Sequence, residues 1–293
     1  MSVIRIATRS SAQARTQSTA IAELLAATHA GLEVELVFVD TTGDQQKDVP
    51  LHVIGGQGVF VKEVQAAVLA GRADLAVHSA KDLPSTPAEG LVIGAFGVRR
   101  DPRDVLVGRS LSELQPGATV ATGSVRRRAQ LSALRADLRF VELRGNIPTR
   151  LEKIPADGSI VMAAAALEIL GWTDRVSEYM NVETMIPAVG QGCVAIECRG
   201  NDAAAIDILA AIDDANSRRA VEHERAFLAE LGSGCSLPVG AYDDGDKMLT
   251  YLASDDGAFH HFATVATGSA ASHEELLVAS RRAAQVARDS VAG

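Results

Sequence analysis

Asp74-Leu75-Ala76-Val77-His78-Ser79-Ala80-Lys81-Asp82-Leu83-Pro84 is the stretch around which the rest of the chain can be read. Its apolar part, Leu75 to Val77, is short and continuous, with Gly71-Arg72 upstream and Pro84 downstream, the form of a buried parallel strand. The polar residues then fall at the strand's carboxyl end, where the loops of an open α/β sheet make a crevice for ligands. His78, Ser79, Lys81 and Asp82 offer a base, a hydroxyl, a cation and a carboxylate within five positions. Taken alone, the segment reads equally well as a solvated turn with an ordinary Lys-Asp pair.

A chain of 293 residues is long for one core and suggests two or three domains. Apolar residues make up 47% and the mean hydropathy is +0.11, enough material for real cores. No run approaches the ~18 apolar residues of a membrane span, and Met1-Ser2-Val3-Ile4-Arg5 lacks a signal-peptide apolar region. The expectation is a soluble, cytoplasmic protein. Three cysteines, Cys193, Cys198 and Cys235, fit a reducing compartment and leave at least one thiol free. The net charge of −9 argues against generic nucleic-acid binding. Yet between Arg99 and Lys153 twelve Lys/Arg stand against six acids, which points to a local anion site rather than a sticky surface.

Ile4 to Ala7 reads as a strand, Thr8-Arg9-Ser10-Ser11 as a polar loop, and Ala12 to Ala27 as a helix on the spacing of Ile21, Leu24 and Leu25. Such a junction suits an anion, because helix N-terminal N–H groups and the dipole both favour negative charge. Ser11 reads equally as a plain N-cap. Leu32 to Val39 forms a second strand. From Thr41-Thr42-Gly43-Asp44 to Gly55-Gly56-Gln57-Gly58 no periodicity is visible, and so long a stretch is expected to be a lid or binding loop. Phe60 to Ala70 is a helix ending at Gly71, Leu91 to Phe96 a strand, and Arg99-Arg100-Asp101-Pro102 a domain boundary.

The same device then recurs. Thr119 to Ala121 is strand-like, Thr122-Gly123-Ser124 the loop, and Val125 to Arg135 a helix with Arg126, Arg127 and Arg128 in its first turn. Cations there oppose the macrodipole, so their placement calls for an anion. Phe140 to Leu143 leads through Arg144-Gly145-Asn146 to a helix start with Pro148 near N1 and Arg150 behind it. Ile160 to Ala166 reads as an apolar strand running into a helix that stops at Gly171. Pro187-Ala188-Val189-Gly190-Gln191-Gly192 reads as a second crossing, followed by the strand Cys193 to Cys198, whose two thiols are expected in the core. Asn216 or Ser217 caps a helix ending at Gly232. Cys235 differs from the other cysteines in lying in the glycine-rich loop Gly232-Ser233-Gly234-Cys235, open to a large group. Thr250 to Ser254 and Ala258 to Val265 form a hairpin about Asp255-Asp256-Gly257, and Ser272-His273-Glu274-Glu275 opens the last helix as a capping box.

Ala7-Thr8-Arg9-Ser10-Ser11, Thr42-Gly43-Asp44, Gly55 to Glu63, Ala76 to Pro84, Leu143 to Asn146, Pro187 to Gly192 and Gly234-Cys235 together resemble the porphobilinogen deaminase (hydroxymethylbilane synthase) family. The motifs follow in order along nearly the whole chain. The resemblance implies an α/β protein of three domains: two lobes like those of type II periplasmic binding proteins and a small α+β C-terminal domain. Their boundaries are expected at 1–97 with 192–214, at 98–191 and at 215–293. It implies a transferase of tetrapyrrole biosynthesis that condenses four porphobilinogen molecules on a dipyrromethane cofactor, thioether-linked to Cys235. It makes Asp82 the catalytic carboxylate. It gives cofactor and substrate binding to Arg9, Ser11, Ser79, Lys81, Thr122, Ser124, Arg126, Arg127, Arg144, Arg150 and Gln191. A monomer with porphobilinogen as its only partner is expected, without metal, nucleic acid or membrane.

Three positions depart from the family pattern: Gln57 stands where a Lys is usual, Ala80 where Met or Leu is, and Ile169 where an anion-binding Arg is. The last leaves a carboxylate to be held otherwise, for instance by Arg128. Two other classes share some of these features. A two-lobed binding or sensor protein would clamp an anion without a loaded cysteine. A nucleic-acid binder would use the basic segment, but no DNA-binding motif accompanies it.

Overall fold

The computed structural model describes residues 3–45, 58–232, 237–254, 256–268 and 272–292. The expectations for Gly55, Gly56, Gln57 and Cys235 fall outside these residues. The strands in chain order are β1 (Val3–Arg9), β2 (Glu33–Val39), β3 (Leu75–Ser79), β4 (Leu91–Phe96), β5 (Asp104–Val107), β6 (Thr119–Ala121), β7 (Arg139–Val141), β8 (Ser159–Ala163), β9 (Glu178–Tyr179), β10 (Val194–Arg199), β11 (Val239–Asp243), β12 (Lys247–Ala253) and β13 (His260–Ala266).

They form three sheets: β2-β1-β3-β10-β4, β7-β6-β8-β5-β9 and β11-β12-β13. In the first, β1 pairs in parallel with β2 and β3, and β10 enters antiparallel between β3 and β4. The second repeats the pattern, with β6 parallel to β7 and β8, and β5 antiparallel between β8 and β9. Two lobes of one topology and a small C-terminal α+β unit are the architecture expected from the sequence. In each lobe the antiparallel strand is the one the chain reaches after crossing from the other lobe.

β3 sits centrally in its sheet, which is why its residues are apolar without alternation. Leu75 is fully buried, and removing such a side chain from water stabilises the fold by roughly 1.5–3 kcal/mol. It packs with Ile6 of β1 and with Ile21 and Leu25 of the helix Ala12–Thr28. Cys198 joins this core and Cys193 a neighbouring one. The second lobe is built on Val105, Ile160 and Leu167 on one face and Leu106, Val120 and Leu131 on the other.

Both crossings are fastened together. Arg100 N–H donates to Gly192 O (2.9 Å) and Arg99 Nε to Gln191 O (3.0 Å). Gly192 has φ +88, and a Cβ there would lie 2.6 Å from Arg100 O, so only glycine permits this approach. Glu224, in the helix Ala215–Leu231, ties the crossings to the third unit. It accepts from Arg99 Nη1 (2.5 Å), Gly190 N–H (2.7 Å) and Asp243 N–H (2.9 Å).

The structure corrects the sequence reading in places. The apolar run Ile160 to Ala166 is not all strand: β8 ends at Ala163, and Ala164–Glu168 is helical. Three alanines followed by Leu favour a helix, and an apolar run carries no period to mark the change. The cap of the helix Ala215–Leu231 is Asp214, whose carboxylate accepts from Ser217 N–H at 2.8 Å, rather than Asn216 or Ser217. The capping box at Ser272 and Glu275 is present as read.

Candidate active site

A cleft open to solvent lies where the lobes and the third unit meet. Lys81, Asp82 and Pro84 line it from the first lobe, Ser124 and Arg126 from the second, and Leu228, Leu237 and Val239 from the third. Asp82 closes a 3-10 turn, Ala80–Asp82, directly after β3. The turn is held by Ala80 N–H donating to Cys193 O at 2.9 Å. Gly190 packs so closely that a Cβ on it would lie 2.9 Å from the Ala80 methyl. The small side chain at position 80 matches that approach. Among the described residues no donor hydrogen-bonds the Asp82 carboxylate. The apparent base of the opening stretch, His78, is instead committed to the interior. Its Nε2 lies 3.0 Å from Glu197 Oε2, both side chains being buried.

Lys81 Nζ faces Gln191 Oε1 at 3.5 Å. Burial, followed by the charge of Arg127, lowers its pKa to about 8, against the opposing effect of Asp82 and Asp104. Ser79 Oγ donates to Gln17 Oε1 at 3.3 Å. Ser11 and Ser124 both cap helices, accepting from Ala14 N–H at 3.3 Å and from Arg127 N–H at 3.4 Å. Thr122 Oγ1 accepts from Ser124 N–H at 3.2 Å and shapes the second loop.

The anion that the arginine triplet calls for is, for Arg126 and Arg127, supplied by the chain itself. Arg126 Nη1 donates to Asp104 Oδ2 at 2.7 Å and to Ile186 O at 2.6 Å. Arg127 Nε donates to Asp104 Oδ1 at 2.9 Å. Burial alone would raise the Asp104 pKa, but the two guanidiniums outweigh it and hold the carboxyl well below the usual carboxylate range. Arg128 is half-exposed, 3.9 Å from Glu142.

Arg150 is different. Its Nε donates to Gly145 O at 2.8 Å, and it forms no ion pair among the described residues. Burial first, then Arg127 and Arg144, lowers its pKa to about 10. Arg144 is lowered by burial as well. The Arg9 guanidinium lies over the Phe60 ring, 4.1 Å from its centre. The segments after β1, β6 and β7 thus bring Arg9, Arg127 and Arg144 near enough to act on Arg150, as Asp82 does with the opposite sign. Such an arrangement can bind several carboxylates and stabilise a cation at one point. Asp104 was not singled out from the sequence. Its position after a break-like Asp101-Pro102 gave no sign of the partners that folding supplies.

Residues 4–207 match the family model "Porphobilinogen deaminase, dipyromethane cofactor binding domain", and residues 219–275 match "Porphobilinogen deaminase, C-terminal domain". A protein named porphobilinogen deaminase from Syntrophus aciditrophicus is 47% identical over 252 residues, covering 84% of this chain and 82% of that protein. One of the same name from Acidothermus cellulolyticus is 48% identical over 82% of this chain and 75% of its own length. Another from Brevibacillus brevis is 40% identical over 98% of this chain and 96% of its own.

Proposed function

The chain belongs to the porphobilinogen deaminase family, and from that premise we propose that it joins four porphobilinogen molecules head to tail into hydroxymethylbilane, releasing ammonia at each addition. The observation that carries this reading is the charge of the cleft. Lys81 and Arg150 are desolvated cations without a contacting carboxylate among the described residues, gathered around the single carboxylate of Asp82. Each pyrrole bears an acetate and a propionate, so the growing chain is a polyanion that supplies the missing countercharge. A dipyrromethane suits these residues: cations for its carboxylates, and an apolar wall of Val189, Leu228 and Leu237 for its rings. When bound, it supplies the pyrrole carbon to which the first new ring is joined.

Asp82 accepts hydrogen bonds from pyrrole N–H groups and passes a proton to the departing amine. The anion it then becomes faces the positive charge left on the substrate. Lys81, Arg9, Arg144 and Arg150 hold carboxylates, with Arg126, Arg127, Gln191, Ser11, Ser79, Thr122 and Ser124 completing the cradle. Cys235 carries the cofactor. In this reading domain 1 comprises 1–97 and 192–214, domain 2 98–191 and domain 3 215–293. The protein acts as a cytoplasmic monomer, with no nucleic-acid or membrane partner. No described helix is long and apolar enough to cross a membrane. The non-catalytic two-lobed binder is not favoured, since the matched family model is defined by cofactor binding.

The direct test is to supply cofactor-loaded protein with porphobilinogen and follow ammonia release together with the linear tetrapyrrole. Porphobilinogen bound without either product would return the protein to the binder class.

Protonated Lys81 is what a carboxylate needs. Burial and Arg127 lower its pKa to about 8, so kcat/KM is expected to fall as pH rises through about 8. Lys81→Gln should remove that limb, and a profile identical to wild type would take Lys81 out of the site. The arginines should divide into two kinds. Arg150→Leu removes a cation that no carboxylate pairs among the described residues and that gives the protein one hydrogen bond, to Gly145 O, so thermal stability should nearly hold while KM rises about 10- to 100-fold, the equivalent of roughly 1.5–3 kcal/mol. Arg127→Leu strips a donor from buried Asp104 and should lower the melting temperature. Equal melting temperatures for the two variants would contradict this division.

A further inference from the structure

Asp104 is the first residue of β5, at the point where the chain enters the second lobe. Its buried carboxylate takes donors from the second crossing and from the helix Val125–Leu134: Arg126 Nη1 at 2.7 Å, Arg127 Nε at 2.9 Å and Gln191 Nε2 at 2.9 Å, with Arg127 Nη2 ion-paired at 2.8 Å. Gln191 Nε2 also donates to Pro102 O at 2.8 Å, and its Oε1 faces Lys81 Nζ at 3.5 Å. The Gln191 amide thus turns its donor end to the anion and its acceptor end to the cation. Arg126 is held by Nη1 on Asp104 and Ile186 O, which leaves Nε–H and the Nη2 amino group for a ligand, and Arg126 lines the cleft.

We propose that Asp104 is a positioning residue for the reaction: its carboxylate pairs the Arg126 and Arg127 guanidiniums from beneath and, through Gln191, ties them to Lys81 across the crossings between the lobes. The proposal rests on the reading of the cleft given above. Lys81, Arg126 and Arg127 are like charges in one buried region, and the two guanidiniums disfavour the charged form of Lys81. Lys81 is faced by Asp82 on its own turn, by Arg126 and Arg127 from the helix Val125–Leu134 and by Asp104 from β5. Asp104 therefore keeps Lys81 cationic while orienting the arginines, and does so before any ligand arrives.

Asp104→Asn keeps the shape and one acceptor oxygen but removes the charge. The test reads the titration of Lys81 directly, by trace acetylation with acetic anhydride across pH and peptide mass spectrometry. Relative to wild type, Asp104→Asn should lower the midpoint by about one pH unit, the low end of what a neighbouring charge does. Arg127→Gln should raise it, and Asp104→Asn/Arg127→Gln should return near the starting value. If Asp104→Asn does not fold, Arg127→Gln against the double variant carries the same comparison. The alkaline limb of kcat/KM in cofactor-loaded protein should follow the midpoint. A Lys81 midpoint common to all variants, with only the melting temperature falling, would make Asp104 a purely structural countercharge and overturn the proposal. A midpoint that moves without the limb supports the coupling and instead overturns the place of Lys81 in the site.

Discussion

Asp82→Asn is expected to reduce turnover of porphobilinogen by at least ~10²-fold, about 2.7 kcal/mol or more, with cofactor content unchanged. The substitution keeps the side chain's size and most of its hydrogen bonding. What it removes is the acid that serves the departing amine and the anion that faces the resulting cation. The surroundings make the charge count. Asp82 has no hydrogen-bond donor among the described residues, so its charge is not already satisfied by the protein. Its turn is fixed by the buried Ala80 and the close approach of Gly190. Asp82→Glu restores the charge but moves it by a methylene, and should therefore retain more activity than Asn. Turnover is to be measured per mole of bound cofactor, and near-normal turnover by Asp82→Asn would place the catalytic centre elsewhere.

Cys235→Ser should abolish both the adduct and turnover, the latter to the background of the assay. Intact mass of the wild-type protein should exceed the sequence mass by a two-pyrrole unit, located at the Cys235 peptide and giving colour with Ehrlich's reagent. The argument is one of contrast among three thiols. Burial pushes Cys193 up to about 12 and raises Cys198 as well, and a thiol kept protonated is a poor nucleophile. Cys235 lies two residues from Leu237, which lines the same cleft as Asp82. A serine hydroxyl cannot replace a thiolate in such an attachment. Cys193→Ser and Cys198→Ser should keep the adduct. An active wild-type protein with an unmodified Cys235 would defeat the assignment.

Local signals were the legible ones. The strand and turn around Asp82, the cap at Ser11, the capping box at Ser272 and the arginines gathered at loop ends depend on neighbours within a few residues. Asp104 shows what such signals miss. Its partners Arg126, Arg127 and Gln191 lie 22, 23 and 87 residues away; folding of the second lobe brings the first two and the second crossing brings the third. The same charge count that pointed to a ligand anion could not tell which arginines the chain would neutralise itself. β5 and β11 escaped notice for a related reason. Each is short and follows a proline, at Pro102 and Pro238, where punctuation reads as loop although pairing, of β5 with β8 and of β11 with β12, makes the residues extended.

The interleaving of the sheets sets an order on synthesis. Among the described residues, all strands of the second sheet lie between Asp104 and Tyr179, whereas β4 has no strand partner other than β10, which ends at Arg199. From Phe96 to Arg199 the ribosome adds about a hundred residues, on the order of 5–20 s at roughly 5–20 residues per second. Through that interval the β4 backbone presents unpaired N–H and C=O groups to other nascent chains. The lobe that emerges first is therefore the second to close, and β4 is the edge a holding chaperone would meet.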